Sequence, residues 1–261
     1  MHTDAARESS GAARGAALAL ARFLFPSLCL ACRRRPLERV GQGGVCADCW
    51  SDVPPLRGHR CAVCDESLAD RTSGACGRCL IAPPPFLALR GAAPYGGTAR
   101  EILLAFKFRG ADYLARHLAA LMASRLESRG GFSEVAAVPA TRRARRRSDH
   151  AAEMLAGALA SRLSLPFARR RLEKVRETER QSRLPLSRRE SNVRGAFRAR
   201  GRCRGHVLLV DDVVTSGATA RECAGRLRAA GAQTVAVWCF ARASRADVEL
   251  ELASDAPLDE P

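Results

Sequence analysis

From residue 86 onward the chain alternates between two hydrophobic periods. Residues 86–93 read as a strand. Residues 98–108 and 113–126 repeat at helical spacing, with Leu114, Leu118, Leu121 and Met122 on one stripe. Val135, Ala136, Ala137 and Val138 form a short apolar run ended by Pro139, which predicts a buried strand. Over 148–163 a helix is predicted with Ala151, Met154, Leu155, Ala158 and Leu159 facing inward. Val207, Leu208, Leu209 and Val210 are continuously apolar, as a strand covered on both faces requires. A helix over 218–229 closed by Gly231 and a strand over 234–240 follow. The strand–helix order predicts an α/β fold, a parallel sheet flanked by helices, over residues 86–243. Residues 244–261 read as an acidic tail.

The first 82 residues follow another rule. Residues 1–23 read as a disordered start and a short amphipathic helix. Arg22 interrupts the apolar run there, so a secretion signal is disfavoured, and no apolar run nears the ~20 residues of a membrane span. Residues 24–82 hold Cys29-x2-Cys32, Cys46-x2-Cys49, Cys61-x2-Cys64 and Cys76-x2-Cys79, eight of the chain's 11 cysteines. Each C-x2-C turn sets two thiolates on one side of a tight loop, and two such turns close a tetrahedron around Zn²⁺. The pattern predicts two structural zinc ions in a double zinc ribbon and a reducing, cytoplasmic compartment. Pairing the first four and the last four cysteines is simplest, with an interleaved pairing open. Pro54-Pro55 separates the ribbons and Pro83-Pro84-Pro85 forms a stiff spacer. Cys203, Cys223 and Cys239 lack metal spacing and read as buried small hydrophobes. Trp50 and Trp238 read as packing residues.

Charge narrows the partner. The 261 residues carry 43 Lys+Arg and 27 Asp+Glu, a net charge of +16. Residues 140–204 hold 20 basic and 6 acidic side chains. That segment suits an anionic partner, a phosphorylated small molecule or nucleic acid. Aromatic residues are only 5%, which limits base stacking.

The most informative run is Val207-Leu-Leu-Val-Asp-Asp-Val-Val-Thr-Ser-Gly-Ala-Thr219. Asp211 and Asp212 fall at the carboxyl end of the predicted strand, where open α/β sheets bind ligands. Thr215, Ser216, Gly217, Ala218 and Thr219 then turn into a helix, offering hydroxyls, backbone N–H groups and a helix N-terminus to a phosphate. A carboxylate pair for a diol beside a phosphate cradle matches ribose 5-phosphate. A receiver domain lacks the Thr-Ser-Gly-Ala-Thr continuation, and a P-loop needs Gly-Lys-Ser/Thr.

This run resembles the phosphoribosyl pyrophosphate (PRPP) signature of type I phosphoribosyltransferases. The resemblance assigns Asp211 and Asp212, also the catalytic candidates, to the ribose hydroxyls. It assigns Val213 and Thr215–Thr219 to PRPP binding, with the phosphate on the turn. With the ribbons ahead of it, residues 24–243 are similar to the ComF (competence protein F) family and its GntX-like members. Further matches are Phe25-Pro26-x2-Cys29, Lys107 in Phe-Lys-Phe-Arg-Gly, Val138-Pro139 followed by arginines, Gln181-x2-Leu184, Arg189, Asn192 and Gly195-Ala196-Phe197. Arg146-Arg147-Ser148-Asp149-His150 departs from the family's usual Arg-Gly-aromatic-Asn-Gln. The resemblance implies displacement of pyrophosphate at C1 of PRPP with Mg²⁺. It places Lys107, Arg142, Arg146, Arg147 and Arg189 as contacts to pyrophosphate or another anion, and 176–194 as a cover over the site. It implies a role in DNA uptake with DNA-uptake proteins as partners. Two other readings stand beside it: a catalytically silent fold that binds single-stranded DNA, and a salvage enzyme fused to a metal clip. His150 reads as a surface or cap-region histidine.

Overall fold

The computed structural model describes residues 27–37, 44–69, 74–125, 131–140, 150–179 and 184–244. The predicted N-terminal helix and acidic tail lie outside them. In chain order the elements are α1 (Ala47–Ser51), α2 (Gly77–Ile81), β1 (Ala88–Pro94), α3 (Gly97–Phe108), α4 (Leu114–Arg125), β2 (Phe132–Ala137) and α5 (Ala151–Leu163). They continue with β3 (Leu172–Lys174), α6 (Leu186–Val193), β4 (Phe197–Ala199), β5 (His206–Val214), α7 (Ala218–Ala229) and β6 (Thr234–Arg242).

Four strands form one parallel sheet in the order β1-β6-β5-β2, and β3 pairs antiparallel with β4. Alternation along β5 explains its unbroken apolar run. Leu208 and Val210 join one core with α3, α4 and α5; Val207 and Leu209 join a second with α7 and the β3–β4 hairpin. Among the predicted inward residues, Leu114, Leu118, Met122, Ala151, Leu155 and Leu159 are buried, while Leu121, Met154 and Ala158 pack partly buried at the edge of the first core.

The two cysteine sites dock on opposite faces of the sheet. Cys29, Cys46 and Cys49 belong to the first core, and Cys61, Cys64 and Cys79 to the second. The ribbon region and the sheet therefore share hydrophobic cores across the proline spacer.

Several boundaries differ from the sequence pattern. β5 runs through the acid pair to Val214, because its ladder with β6 continues through Asp211↔Cys239, Val213↔Ala241 and Val214↔Arg242. Backbone pairing overrides the loss of apolar character. β2 stops at Ala137, and α5 starts at Ala151 with His150 as its N-cap. The hairpin strands of three residues each are too short to show a period.

Candidate ribose-phosphate site and paired cysteine centres

A cavity of about 380 Å³ opens at the carboxyl edge of the sheet, within the usual range for small-ligand sites. It brings together Asp211 and Asp212 of β5, the 215–219 turn, Lys107 of α3 and Arg189 of α6. Strand alternation sends Asp211 toward the α7 face and Asp212 toward the α3 face, and both line the opening.

Lys107 reaches this edge from the last turn of α3, and its Nζ lies 2.6 Å from Asp212 Oδ2. Burial alone would lower the Lys107 ammonium, but the Asp212 carboxylate holds it above its ordinary value. Asp211 behaves in the opposite way. Burial first, and then the charge of Asp212, push its carboxyl up to about 8. Burial and the neighbouring carboxylate thus favour the protonated form of Asp211, while Lys107 stands against Asp212. The Asp212 amide donates to Asp211 Oδ1 at 2.9 Å and the Val213 amide to Asp212 Oδ1 at 2.6 Å, which fixes both side chains against the strand end.

The turn after β5 enters α7 through Gly217, whose φ of 76° lies in the left-handed region where glycine is unstrained. Ser216 Oγ accepts from the Ala218 amide at 3.3 Å. The first N–H groups of a helix have no acceptor within it, and the helix dipole adds partial positive charge there. Arg189 is 1% exposed; its Nε donates to the Leu184 carbonyl at 3.0 Å and its Nη1 to Thr215 Oγ1 at 2.7 Å. This places α6, within the segment expected to cover the site, directly against the turn.

Other sequence candidates fall elsewhere. Arg142, Arg146 and Arg147 lie outside the described residues. His150 Nδ1 sits 3.3 Å from Glu153 Oε2 at the N-terminus of α5. It lines a second cleft of about 450 Å³ with Pro139, Arg169, Lys174 and Arg200, beyond the end of β2. Asn192 exchanges hydrogen bonds of 3.1 Å with the backbone of Glu179. Cys203, Cys223 and Cys239 are buried as expected. Trp238 is 3% exposed and meets Phe132 edge-on, and Trp50 tilts against His117.

The cysteines resolve into Cys29–Cys32–Cys46–Cys49 and Cys61–Cys64–Cys76–Cys79, the sulfurs of each group within 4.8 Å of one another. The sequential pairing, and not the interleaved one, is formed. Tetrahedral Zn–S bonds of ~2.3 Å set sulfurs about 3.8 Å apart, and Cys64 Sγ and Cys76 Sγ are 3.6 Å apart. Backbone amides of Cys64 and Cys76 donate to Cys61 Sγ at 3.4 and 3.2 Å, and that of Cys46 to Cys29 Sγ at 3.3 Å. Burial would raise the Cys61 thiol, but these amides and that of Val63 bring it to about 6. The amides of Arg34 and Arg35 bring Cys32 to about 6 as well. Burial, with neighbouring cysteines, pushes Cys49, Cys64 and Cys79 the other way, and a shared cation would relieve the crowding of four sulfurs.

Two arginines at this edge were not apparent from sequence. Arg78 lies between Cys76 and Cys79 and donates to the Ser216 carbonyl. Arg242 ends β6 and is 3% exposed. An arginine closing an otherwise apolar buried strand was the available signal.

The sheet and its acid-then-turn edge define a phosphoribosyl transferase domain. Residues 113–256 match that domain family and residues 20–80 match the double zinc ribbon domain. The DNA utilization protein YhgH of Salmonella typhi is 34% identical over 227 residues, covering 83% of this chain and 97% of that protein. Competence protein F of Haemophilus influenzae is 27% identical over 232 residues, covering 84% and 98%. The solved adenine phosphoribosyltransferase from Thermoanaerobacter pseudethanolicus is 17% identical with a TM-score of 0.36, covering 60% of this chain and 80% of that one. The chain belongs to the competence protein F family, phosphoribosyl transferase domain proteins with an N-terminal double zinc ribbon. No helix among the described residues is long and apolar enough to cross a membrane.

Proposed function

We propose that this chain binds PRPP by its ribose 5-phosphate half and transfers the phosphoribosyl group to an acceptor in the handling of DNA. The observation that carries the reading is the joining, in one cavity, of the acid pair and the turn at the start of α7. Asp212, held by Lys107, accepts from one ribose hydroxyl. Asp211, whose carboxyl burial and Asp212 push upward, hydrogen-bonds the other. The amides of the turn and the hydroxyls of Thr215, Ser216 and Thr219 take the 5′-phosphate, with Arg189 orienting Thr215 Oγ1.

In the reaction the bond from C1 to the pyrophosphate oxygen breaks, pyrophosphate leaves with the electron pair, and an acceptor atom bonds to C1 and gives up its proton to solvent. Fixed cations around the site stabilise the charge that gathers on the leaving group. Mg²⁺ would supply neutralisation of the pyrophosphate charge, with hard oxygens of PRPP and Asp212 at the same edge as its ligands. Because Lys107 already occupies Asp212, the ion would be held mainly through oxygens of PRPP. Zinc in both cysteine groups serves structure.

The DNA setting is supported by the names of the relatives and by the basic character of residues 140–204. Single-stranded DNA as a further partner implies binding that weakens steeply with salt. Pyrophosphate release from PRPP with Mg²⁺, screened against nucleobases, amines and single-stranded oligonucleotides, tests the transfer. Release that depends on an acceptor supports it. PRPP binding with no release under any acceptor supports the silent, DNA-binding alternative.

A further inference from the structure

We propose that the second cysteine ribbon is a positioning element of the ribose-phosphate site, acting through Arg242 and Arg78; this rests on the ribose-phosphate reading above. Arg242 follows the apolar run 235–241 and points back into the protein. On the ribbon side its Nη2 lies 2.7 Å from Glu66 Oε2 and its Nε donates to the Cys64 carbonyl at 3.3 Å. On the sheet side its Nη1 reaches the carbonyls of Thr215 and Ala243 and, at 3.2 Å, that of Val214, which also accepts from the Ala243 amide at 3.0 Å. Arg78, inside the Cys76–Cys79 turn, captures the next carbonyl, Ser216, and lies 4.0 Å from Glu190 of α6.

Three consecutive carbonyls are thus fixed, that of Val214 by the Ala243 amide together with Arg242, and those of Thr215 and Ser216 by guanidinium groups tied to one ribbon. A trans peptide points its C=O and N–H in opposite directions. Holding those carbonyls turns the N–H groups of Thr215, Ser216 and Gly217 the other way, toward the cavity these residues line. Successive amides facing one side form an anion-binding concavity. Glu66 balances the charge of Arg242 and Glu190 lies near Arg78, so the two guanidinium groups act on the turn by orienting it. Asp65, next to Cys64 and 5% exposed, fastens the same ribbon to β1. Its Oδ2 accepts from the Gly91 amide at 2.8 Å and its Oδ1 lies 2.9 Å from Arg60 Nε. The first ribbon is tied elsewhere, to the C-cap of α3 through Arg109 and the Leu30 carbonyl and to α4 through Arg125 and the Val53 carbonyl.

The test uses the full chain loaded with zinc, and ribose 5-phosphate as probe. Arg242→Met and Arg78→Met are expected to lose on the order of tenfold in calorimetric affinity. Amide hydrogen exchange at 215–217 should quicken in both, while exchange at 207–210 stays at the unaltered rate, a local readout that a general loss of stability would not give. If Arg242→Met does not fold, Arg78→Met and Glu66→Gln carry the same test. Unchanged affinity together with unchanged exchange at 215–217 in the folded variants would overturn the proposal. If the unaltered chain itself fails to bind ribose 5-phosphate, the functional reading fails, and the exchange rates at 215–217 still decide whether the ribbon holds the turn.

Discussion

Lys107 Nζ and Asp212 Oδ2 stand 2.6 Å apart although 105 positions separate them in sequence. The pair closes the α3 side of the cavity and makes the acid edge of β5 nearly neutral. Removing one partner leaves a poorly solvated charge. Lys107→Met should therefore destabilise the chain by about 3 kcal/mol, and adding Asp212→Asn to it should recover part of that loss. Urea unfolding of the two singles and the double reads the coupling. Additive losses would show that the pair is not coupled.

The carboxyl of Asp211 gives the protein a pH signature. Its ordinary value is 3.8 and its folded value about 8. Between these the folded chain holds a proton that the unfolded chain releases, so this group's contribution is complete at low pH and is lost as pH rises through 8. Relative to Asp211→Asn, the zinc-loaded protein should lose stability between pH 5 and 8, the difference between the two slopes being this group's share. Thermal melts across the range are the measurement, with an unchanged slope in the variant as the contrary result.

Gly91 of β1 packs against Arg242 and Leu56. A Cβ there would meet Arg242 Cβ at 2.7 Å and Leu56 Cδ1 at 3.0 Å. Gly91→Ala should cost about 2 kcal/mol through overpacking. It should also weaken ribose 5-phosphate binding by displacing Arg242 from the carbonyls of Val214 and Thr215. A variant with full stability and full affinity would contradict this packing.

Protein prepared in reducing buffer should carry two zinc ions per chain. Cys61→Ser should lower that to one, and chelation of both should lower the melting temperature strongly, since structural zinc sites supply folding energy. Metal analysis with thiol counting checks this. A metal-free chain with four disulfides would contradict it.

Much of this was legible in the chain. The C-x2-C pairs announce their chemistry because a metal needs the same residue at fixed spacing. The run from Val207 to Thr219 is legible because an apolar strand, two acids and a hydroxyl-rich turn follow one another without interruption. The sequence left the extent of β5 open, since ladder bonds with β6 carry it past its last apolar pair. It placed Lys107 at the site but not against Asp212, and it marked Arg242 only as an arginine closing an apolar strand, with nothing to set Arg78 behind the turn. Those relations depend on which helix and which ribbon the fold lays against the sheet edge, and neither leaves a periodic trace.

Calorimetric titration with ribose 5-phosphate tests the central claim most directly, comparing the unaltered chain with the Asp211→Asn, Asp212→Asn double variant. The account predicts one site per chain in the unaltered protein and a loss of at least about a hundredfold in affinity in the variant, as hydrogen bonds to both ribose hydroxyls are weakened. Equal affinity in the two proteins, or no binding to the unaltered chain, would contradict it.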